Sequence, residues 1–217
     1  MVVCDPIPGA QFGSLGTIGE PTKDPPPDNH PDLNMKIRGW EPVGFALDLV
    51  DYAGDTDALA PKLNTVYGDD HVPTLLQNCA VHQWDWGTNM AGGPITDWEV
   101  TLVAMATTPG EILEIPHSGY DIGQGKTARL LFLDDDSVTL KYTGEDNVVY
   151  GYAIHMVGVC VDPALRALYV ANDAAGRAEL PALNGDQPFA RAIGDRVLVA
   201  IRDTGSFMDP RSKKDWW

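Results

Sequence analysis

SVTLKYTGEDNVVYGYAIHMVGVCV, residues 137–161, contains two runs rich in β-branched and aromatic residues on either side of a turn. Val, Ile, Thr and Tyr favour strands, whereas the Gly, Asp and Asn of TGEDN favour a tight turn. Similar runs recur at 99–106, 110–115, 128–133 and 195–203, separated by connectors such as TTPG, DDDS and NGDQ. Within this β-rich part, the Ala and Leu spacing of 162–180, DPALRALYVANDAAGRAEL, predicts a helical insertion between two strands.

Two other stretches precede this β-rich part, which we delimit as a β domain over 81–217. Residues 1–35 include PTKDPPPDNHPD, whose prolines prevent strand or helix pairing, and they are expected to form an extended arm. Residues 36–80 give mixed signals and are expected to form an irregular wrapping segment. In it, GFALDLVDYAG (44–54) fits a strand or a short helix, whereas TDALAPKLNTVYG (56–68) and VPTLLQNCA (72–80) resemble brief helical turns or loops. The predicted fold is mainly β: an open antiparallel two-sheet sandwich with an irregular N-terminal arm and a short helical insertion.

The charge balance restricts the partners. With 31 acidic and 15 basic residues the net charge is −16, and such a surface repels phosphate backbones and anionic lipids. We therefore expect neither nucleic-acid nor membrane partners, and instead a small-molecule, peptide or glycan ligand; the oligomeric state is not indicated. No apolar run approaches the ~20 residues of a membrane span. The N-terminus shows no signal-peptide pattern, so a cytoplasmic location is expected unless a leader was removed.

The cysteines give little further information. Cys4, Cys79 and Cys160 are odd in number, widely spaced and in no CxxC pair. This pattern indicates neither a disulfide framework nor a cysteine zinc site. Cys160 lies in the apolar run HMVGVCV and is expected to be a small buried residue.

Seven short segments occur in an order that matches a known family. They are HQWDWGT (82–88), VAMATTPGEIL (103–113), SVTLKY (137–142), YGYAIHM (150–156), NGDQ (184–187), VAIRDTG (199–205) and MDP (208–210). Together they resemble the lysostaphin-type (LytM-like) zinc metallopeptidases. That family has a His-x-Gly-x-Asp motif, a strand V-x-A-x-x-x-G-x-V, a Tyr-x-His-Leu strand pair, a Gly-Gln turn, and a final strand with His-x-His. The resemblance covers roughly residues 80–212 and implies a zinc-dependent peptidase fold.

The resemblance places a metal site at the first motif. His82 and Asp85 would supply two zinc ligands, and His155 would stand beside the zinc-bound water and move protons. The third family ligand is the second histidine of His-x-His, where this sequence has Arg196-Val197-Leu198. The first motif is also one residue short. Because a catalytic zinc site usually has three protein ligands, the predicted site is degenerate.

A second motif leaves the assignment open. His117-Ser-Gly-Tyr-Asp121 fits the family spelling, but it lies after the V-x-A strand, where the family has a connecting loop. If the position along the chain decides, His82 and Asp85 form the metal motif. If the match to His-x-Gly-x-Asp decides, His117 and Asp121 form it. In a third arrangement, loops bring His117 or Asp121 beside His82 and Asp85 and replace the lost ligand.

Two functions follow from these patterns. The first is a metal-dependent hydrolase of the metallopeptidase-like class, acting on an amide or related polar bond through a rebuilt zinc site. The second is a metal-free relative whose cleft binds a carbohydrate or peptide ligand. Trp84 and Trp86 would form a wall of that cleft, since aromatic rings stack on sugars and flat ligands. In the metal-free form, Arg196 is expected to occupy the vacated space and pair with Asp85.

Overall fold

A computed structural model describes residues 4–217 of the chain. The strands are β1 (Gly13–Gly16), β2 (Trp40–Pro42), β3 (Leu75–Asp85), β4 (Met90–Pro94), β5 (Leu102–Ala106), β6 (Ile112–Glu114), β7 (Ala128–Leu133), β8 (Ser137–Lys141), β9 (Tyr152–Val157), β10 (Val159–Val161), β11 (Glu179–Leu183), β12 (Pro188–Ala192), β13 (Arg196–Asp203) and β14 (Ser206–Met208). The helices are α1 (Pro163–Ala174) and α2 (Lys213–Trp216), with 3₁₀ turns at Pro27–Asn29, Met35–Ile37 and Leu63–Val66. Within residues 4–217, neither α-helix is long and apolar enough to cross a membrane.

These strands form two antiparallel sheets. The large sheet has the order β1-β11-β7-β8-β9-β13-β5-β3-β2, with β14 paired to β13 and β4 paired to β3. The small sheet has the order β10-β12-β6. The predicted mainly-β, two-sheet fold is confirmed.

The central strands of the large sheet have one apolar and one more polar face. On β8, Val138 and Leu140 belong to the main core, which is expected because side chains alternate between faces along a strand. Thr139 and Lys141 point the other way, towards what we call the second face. By register, Thr139 is opposite His155 on β9 and Lys141 is opposite Ala153. Ala153 is in turn opposite Arg202 on β13, so the second face carries several polar side chains.

The helical insertion is confirmed as α1. The side chain of Asp162 accepts a hydrogen bond from the backbone N–H of Ala164, and Pro163 occupies the first helical position. Both features favour helix initiation. Leu165 and Tyr169 are buried and hold one side of α1 on the core.

The N-terminal arm lies along the body of the protein. It contributes β1, which pairs with β11, and the Arg129 guanidinium donates hydrogen bonds to the carbonyls of Leu15 and Gly16. Farther along, the backbone N–H of Thr22 donates to the carboxylate of Asp146. The arm is therefore fixed to the sheet at several points despite its short regular structure.

The cysteine pattern indicated no disulfide, which was wrong, whereas the expected burial of Cys160 is confirmed. Cys4 in the arm and Cys160 on β10 form a disulfide with a Cα–Cα distance of 5.8 Å, and Cys79 is free and buried. The two bonded residues are 156 positions apart, so only the path of the arm brings them together. Sequence spacing carries no signal for such a long-range pair.

Residues 36–80 contain more strand structure than expected for an irregular wrapping segment. The segment 72–80 is not helical or a loop, because β3 begins at Leu75 and continues past the boundary drawn at residue 81. Its side chains in the middle of the strand are buried, and pairing with β5 and β2 outweighs the weak local propensity. The segment 44–54 forms neither a helix nor a strand beyond one bridge from Val50 to Ser212. The short helical turn expected in 56–68 is present at Leu63–Val66.

Removing the disulfide should destabilise the fold. In a Cys4→Ala variant the unfolded chain is no longer constrained by a long closed loop, so we expect the free energy of unfolding to fall by about 2–5 kcal/mol. Urea denaturation with and without reductant measures this loss. Reductant should lower the stability of the wild-type protein to the level of the variant and leave the variant unaffected; equal wild-type curves in both conditions would contradict the prediction.

Removing the buried amine of Lys141 should stabilise the fold. Lys141 is fully buried, its ammonium has no hydrogen-bond partner among residues 4–217, and burial lowers its pKa to about 8. Because the folded protein disfavours the charged amine, wild-type stability should increase as pH rises from about 8 towards the unfolded pKa near 10.4. Lys141→Met should raise the melting temperature at pH 7, and this advantage should shrink by pH 10. A destabilised variant at pH 7 would show instead that the amine is well solvated or paired.

Candidate functional site

A cleft of about 320 Å³ opens on the second face of the large sheet. Three parts of the chain meet there: the end of the arm, the β3–β4 hairpin and the β13–β14 hairpin. The residues most relevant to its chemistry are Asp32, Arg38, Trp84, Trp86, Arg202 and Phe207. Its volume is at the small end of the range for ligand pockets, about 300–1,000 Å³, which suits one ring-sized group.

Two buried arginines share one carboxylate at the base of this cleft. Arg38 Nη2 lies 2.6 Å from Asp32 Oδ1, and Arg202 Nη1 lies 2.8 Å from the same oxygen. Burial alone would raise the pKa of Asp32, but the charges and hydrogen bonds of Arg202 and Arg38 outweigh it and lower that pKa. Burial also lowers the pKa of Arg202. The cluster of two guanidinium groups and one carboxylate carries a net positive charge.

Three aromatic side chains line the cleft: Trp84, Trp86 and Phe207. The Arg202 guanidinium carbon lies 4.7 Å from the centroid of the Phe207 ring, and that of Arg38 lies 5.5 Å from it, distances typical of cation–π contacts. Trp86 makes an edge contact with His30 at 5.7 Å between centroids. Trp84 Nε1 is buried and has no hydrogen-bond partner in the part of the chain that the structure describes. The cleft wall expected from Trp84 and Trp86 is present, since both line the cavity.

His155 lies behind this cleft rather than in it. The residue is buried on β9, its ring stacks against Phe207 at 5.9 Å, and its Nδ1 is 2.8 Å from the Thr139 hydroxyl. That hydroxyl has a single proton and donates it to the carbonyl of Leu33. His155 must therefore donate from Nδ1, which leaves Nε2 as an acceptor. Nε2 has no partner among residues 4–217, and the gap that His155 lines together with Leu33 and Met35 is too small for a water molecule.

Burial, together with the charges of Arg202 and Arg38, lowers the pKa of His155 well below its ordinary value. A proton on this imidazole would be desolvated and would face two nearby cations. His155 is thus a neutral side chain at physiological pH, without access to solvent.

His82 is not brought together with His155. Val81 packs with Ala200 in the apolar cluster of the second face, so the next residue on the strand points to the opposite face. The contact of His82 Nε2 with Glu41, at 3.5 Å, agrees with this orientation, because Glu41 pairs with Ala80 on β3 rather than with Val81. The two histidines consequently lie on opposite faces of one sheet. A register shift between His82 and Trp84 interrupts the alternation after this point, and Trp84 lines the cleft.

The other predicted metal ligands are separate surface residues. The Asp85 carboxylate accepts hydrogen bonds from the backbone N–H groups of Gly87 and Thr88 in the hairpin turn. His117 Nδ1 is 3.1 Å from a carboxylate oxygen of Asp186. Asp121 accepts a hydrogen bond from the backbone of Gly123 at 2.7 Å. In residues 4–217 no group of three His, Cys, Asp or Glu side chains is arranged to hold a metal ion.

Arg196 does not occupy the place expected for it. Its guanidinium is exposed and bonds to the neighbouring Asp195 at 2.9 Å. The expected pairing with Asp85 was wrong, because Arg196 lies at the first residue of β13 and points to solvent. The arginines that do line the cleft are Arg38 and Arg202. One signal in the sequence points to them: arginine within otherwise apolar strand sequence, as at Arg202 in VAIRD, is typical of a buried ion pair.

Comparisons of the chain with protein-family models, with curated proteins and with solved structures found no match. The resemblance to lysostaphin-type peptidases accordingly rests on the collinear motifs alone.

The low pKa of His155 predicts a specific pH dependence. The unfolded chain binds a proton on this residue near pH 6.5, whereas the folded protein does not, so stability should fall as pH decreases below about 6.5. Between pH 6.5 and 5 the loss should be about 1–2 kcal/mol. Denaturant unfolding of the wild type and of His155→Gln across this range measures it. The variant should lose less of its free energy of unfolding over this range. A full titration of the His155 ring signals by NMR between pH 5 and 7.5 would contradict the prediction.

Proposed function

We propose that the protein binds a carbohydrate in the cleft between Trp84, Trp86 and Phe207, without a metal. The observation that carries this proposal is the position of Trp86. Its side chain is 55% exposed at the rim of a polar cleft, with an edge contact to His30. An exposed indole beside polar groups in a cleft offers a flat face for stacking, and the faces of sugar rings are common partners of tryptophan.

The remaining lining residues suit a sugar better than an apolar peptide side chain. Gln83, Asp97 and Ser206 line the same cavity and offer amide, carboxylate and hydroxyl groups. Such groups can exchange hydrogen bonds with ring hydroxyls, while the tryptophans cover the C–H face of the ring. A polar set with two aromatic walls is the arrangement expected for carbohydrate recognition.

The positions of the predicted ligands give the hydrolase hypothesis less support. His155 is buried behind the cleft and stacked against Phe207, so it does not reach a substrate in the cleft. His82 faces the other side of the sheet, and Asp85 is engaged in its own turn. We therefore favour binding over hydrolysis as the function of the cleft.

Replacing Trp86 should abolish most of the binding. In Trp86→Ala the sugar ring loses its stacking surface, so we expect at least a roughly tenfold weaker affinity, or about 1.4 kcal/mol. Cellotetraose, chitotetraose and maltotetraose as neutral probes, and tetragalacturonate as an acidic one, are tested by calorimetry and by tryptophan fluorescence titrations. The matched control is Tyr150→Ala, which removes an aromatic side chain of similar exposure, 57%, that does not line the cleft.

The control should retain wild-type affinity for any probe that binds. If Trp86→Ala and Tyr150→Ala weaken binding equally, the cleft is not the binding site. If no neutral or acidic oligosaccharide binds the wild-type protein at all, the proposed function is wrong.

A further inference from the structure

The two buried arginines retain unused hydrogen-bond donors at the base of the cleft. A guanidinium has five N–H groups. Arg38 donates to the carbonyls of Pro31 and His82 and to Asp32. Arg202 donates twice to the carbonyl of Gly205 and once to Asp32. Among the described residues, each arginine therefore has two N–H groups without an acceptor.

These donors belong to side chains that are nearly inaccessible elsewhere. The Arg38 and Arg202 side chains are only 7% and 5% exposed, and what they expose lines the cleft. Asp32 neutralises only one of their two positive charges. A desolvated guanidinium with spare donors is a strong binding site for an anionic oxygen, because charge-assisted hydrogen bonds are stronger in a low-dielectric environment.

We propose that the cleft binds a sugar with a single carboxylate group, a uronic acid residue, whose carboxylate is held by Arg38 and Arg202. This inference rests on the proposed carbohydrate function and specifies its ligand. The sugar ring stacks on the tryptophans, and the carboxylate extends to the base of the cleft and accepts the spare N–H groups.

A monoanion fits this site better than a more highly charged group. The two arginines and Asp32 together carry one net positive charge, which one carboxylate neutralises. Asp97 on the rim and the net charge of −16 disfavour phosphate monoesters and long polyanions. The planar two-oxygen geometry of a carboxylate also matches the fork of a guanidinium.

The test is a comparison of two sugars that differ only at carbon 6. Methyl β-D-glucuronide carries a carboxylate where methyl β-D-glucoside carries a hydroxymethyl group. By NMR titration of the tryptophan indole signals, we expect the glucuronide to bind at least about fivefold more tightly in ~20 mM salt, and this preference to shrink as salt increases. Glucose 6-sulfate and N-acetyl-Ala-Ala, titrated in the same way, test a sulfate ester and a peptide carboxylate.

A variant provides a second, independent measurement. Asp32→Asn removes the negative charge of the cluster, which then carries two positive charges, so the preference for glucuronide over glucoside should increase several-fold. Asp195→Asn removes an exposed carboxylate outside the cleft and should leave the preference unchanged. If Asp32→Asn does not fold, the comparison on the wild-type protein decides the question alone.

The outcomes separate this inference from the function on which it rests. If neutral sugars bind in a Trp86-dependent way and the glucuronide binds no more tightly, the carbohydrate function stands and the carboxylate site is wrong. The carboxylate-sugar assignment is also overturned if glucose 6-sulfate or N-acetyl-Ala-Ala binds more tightly than the glucuronide. If no sugar binds, both proposals fall.

Discussion

One carboxylate, that of Asp32, holds two ends of the chain together. It accepts hydrogen bonds from Arg38, six residues on, and from Arg202 on β13, 170 residues away. Without it, two buried guanidinium groups would face each other uncompensated, and breaking such a pairing costs about 3–5 kcal/mol. The same contact keeps the end of the arm on the second face of the sheet, where Leu33 and Met35 line a small gap together with His155. The arm is therefore part of the sheet's packing. It supplies the negative charge of Asp32 and covers polar side chains of the central strands.

Which side chains of β3 point to the second face decides what kind of site that face can form. Strand residues alternate between faces, so a shift by one position moves a side chain to the other side of the sheet. Val81 packs on the second face with Ala200, and His82 thereby points away from His155. The motif order that suggested a shared metal site is compatible with the strand order, because β3, β5, β13 and β9 are neighbours. It does not determine the phase of a single histidine within its strand.

The sequence was most informative where local patterns decide the structure. The β-branched runs became β5, β7, β8, β9 and β13, and the Ala/Leu pattern became α1, because periodicity and turn residues act over short distances. Trp84 and Trp86 were correctly placed at a cleft, since they cluster in the sequence itself. The disulfide, the Asp32 cluster and the strand character of 75–80 were missed. Each depends on partners far along the chain, and a single sequence contains no record of which distant residues meet.

The Asp32 cluster also links stability to ligand recognition. If Asp32 were absent, the cleft would have a larger positive charge and more free donors, and an acidic ligand would bind more tightly. The fold, however, would then bury two like charges without compensation. If a second carboxylate joined the cluster, the fold would gain an ion pair and the site would lose its net charge. With one carboxylate for two arginines, the arm stays attached to the sheet and one positive charge remains for a ligand. Because the rest of the surface is strongly acidic, that single charge gives the cleft an electrostatic character different from its surroundings, and beyond about 8 Å physiological salt screens the opposing field.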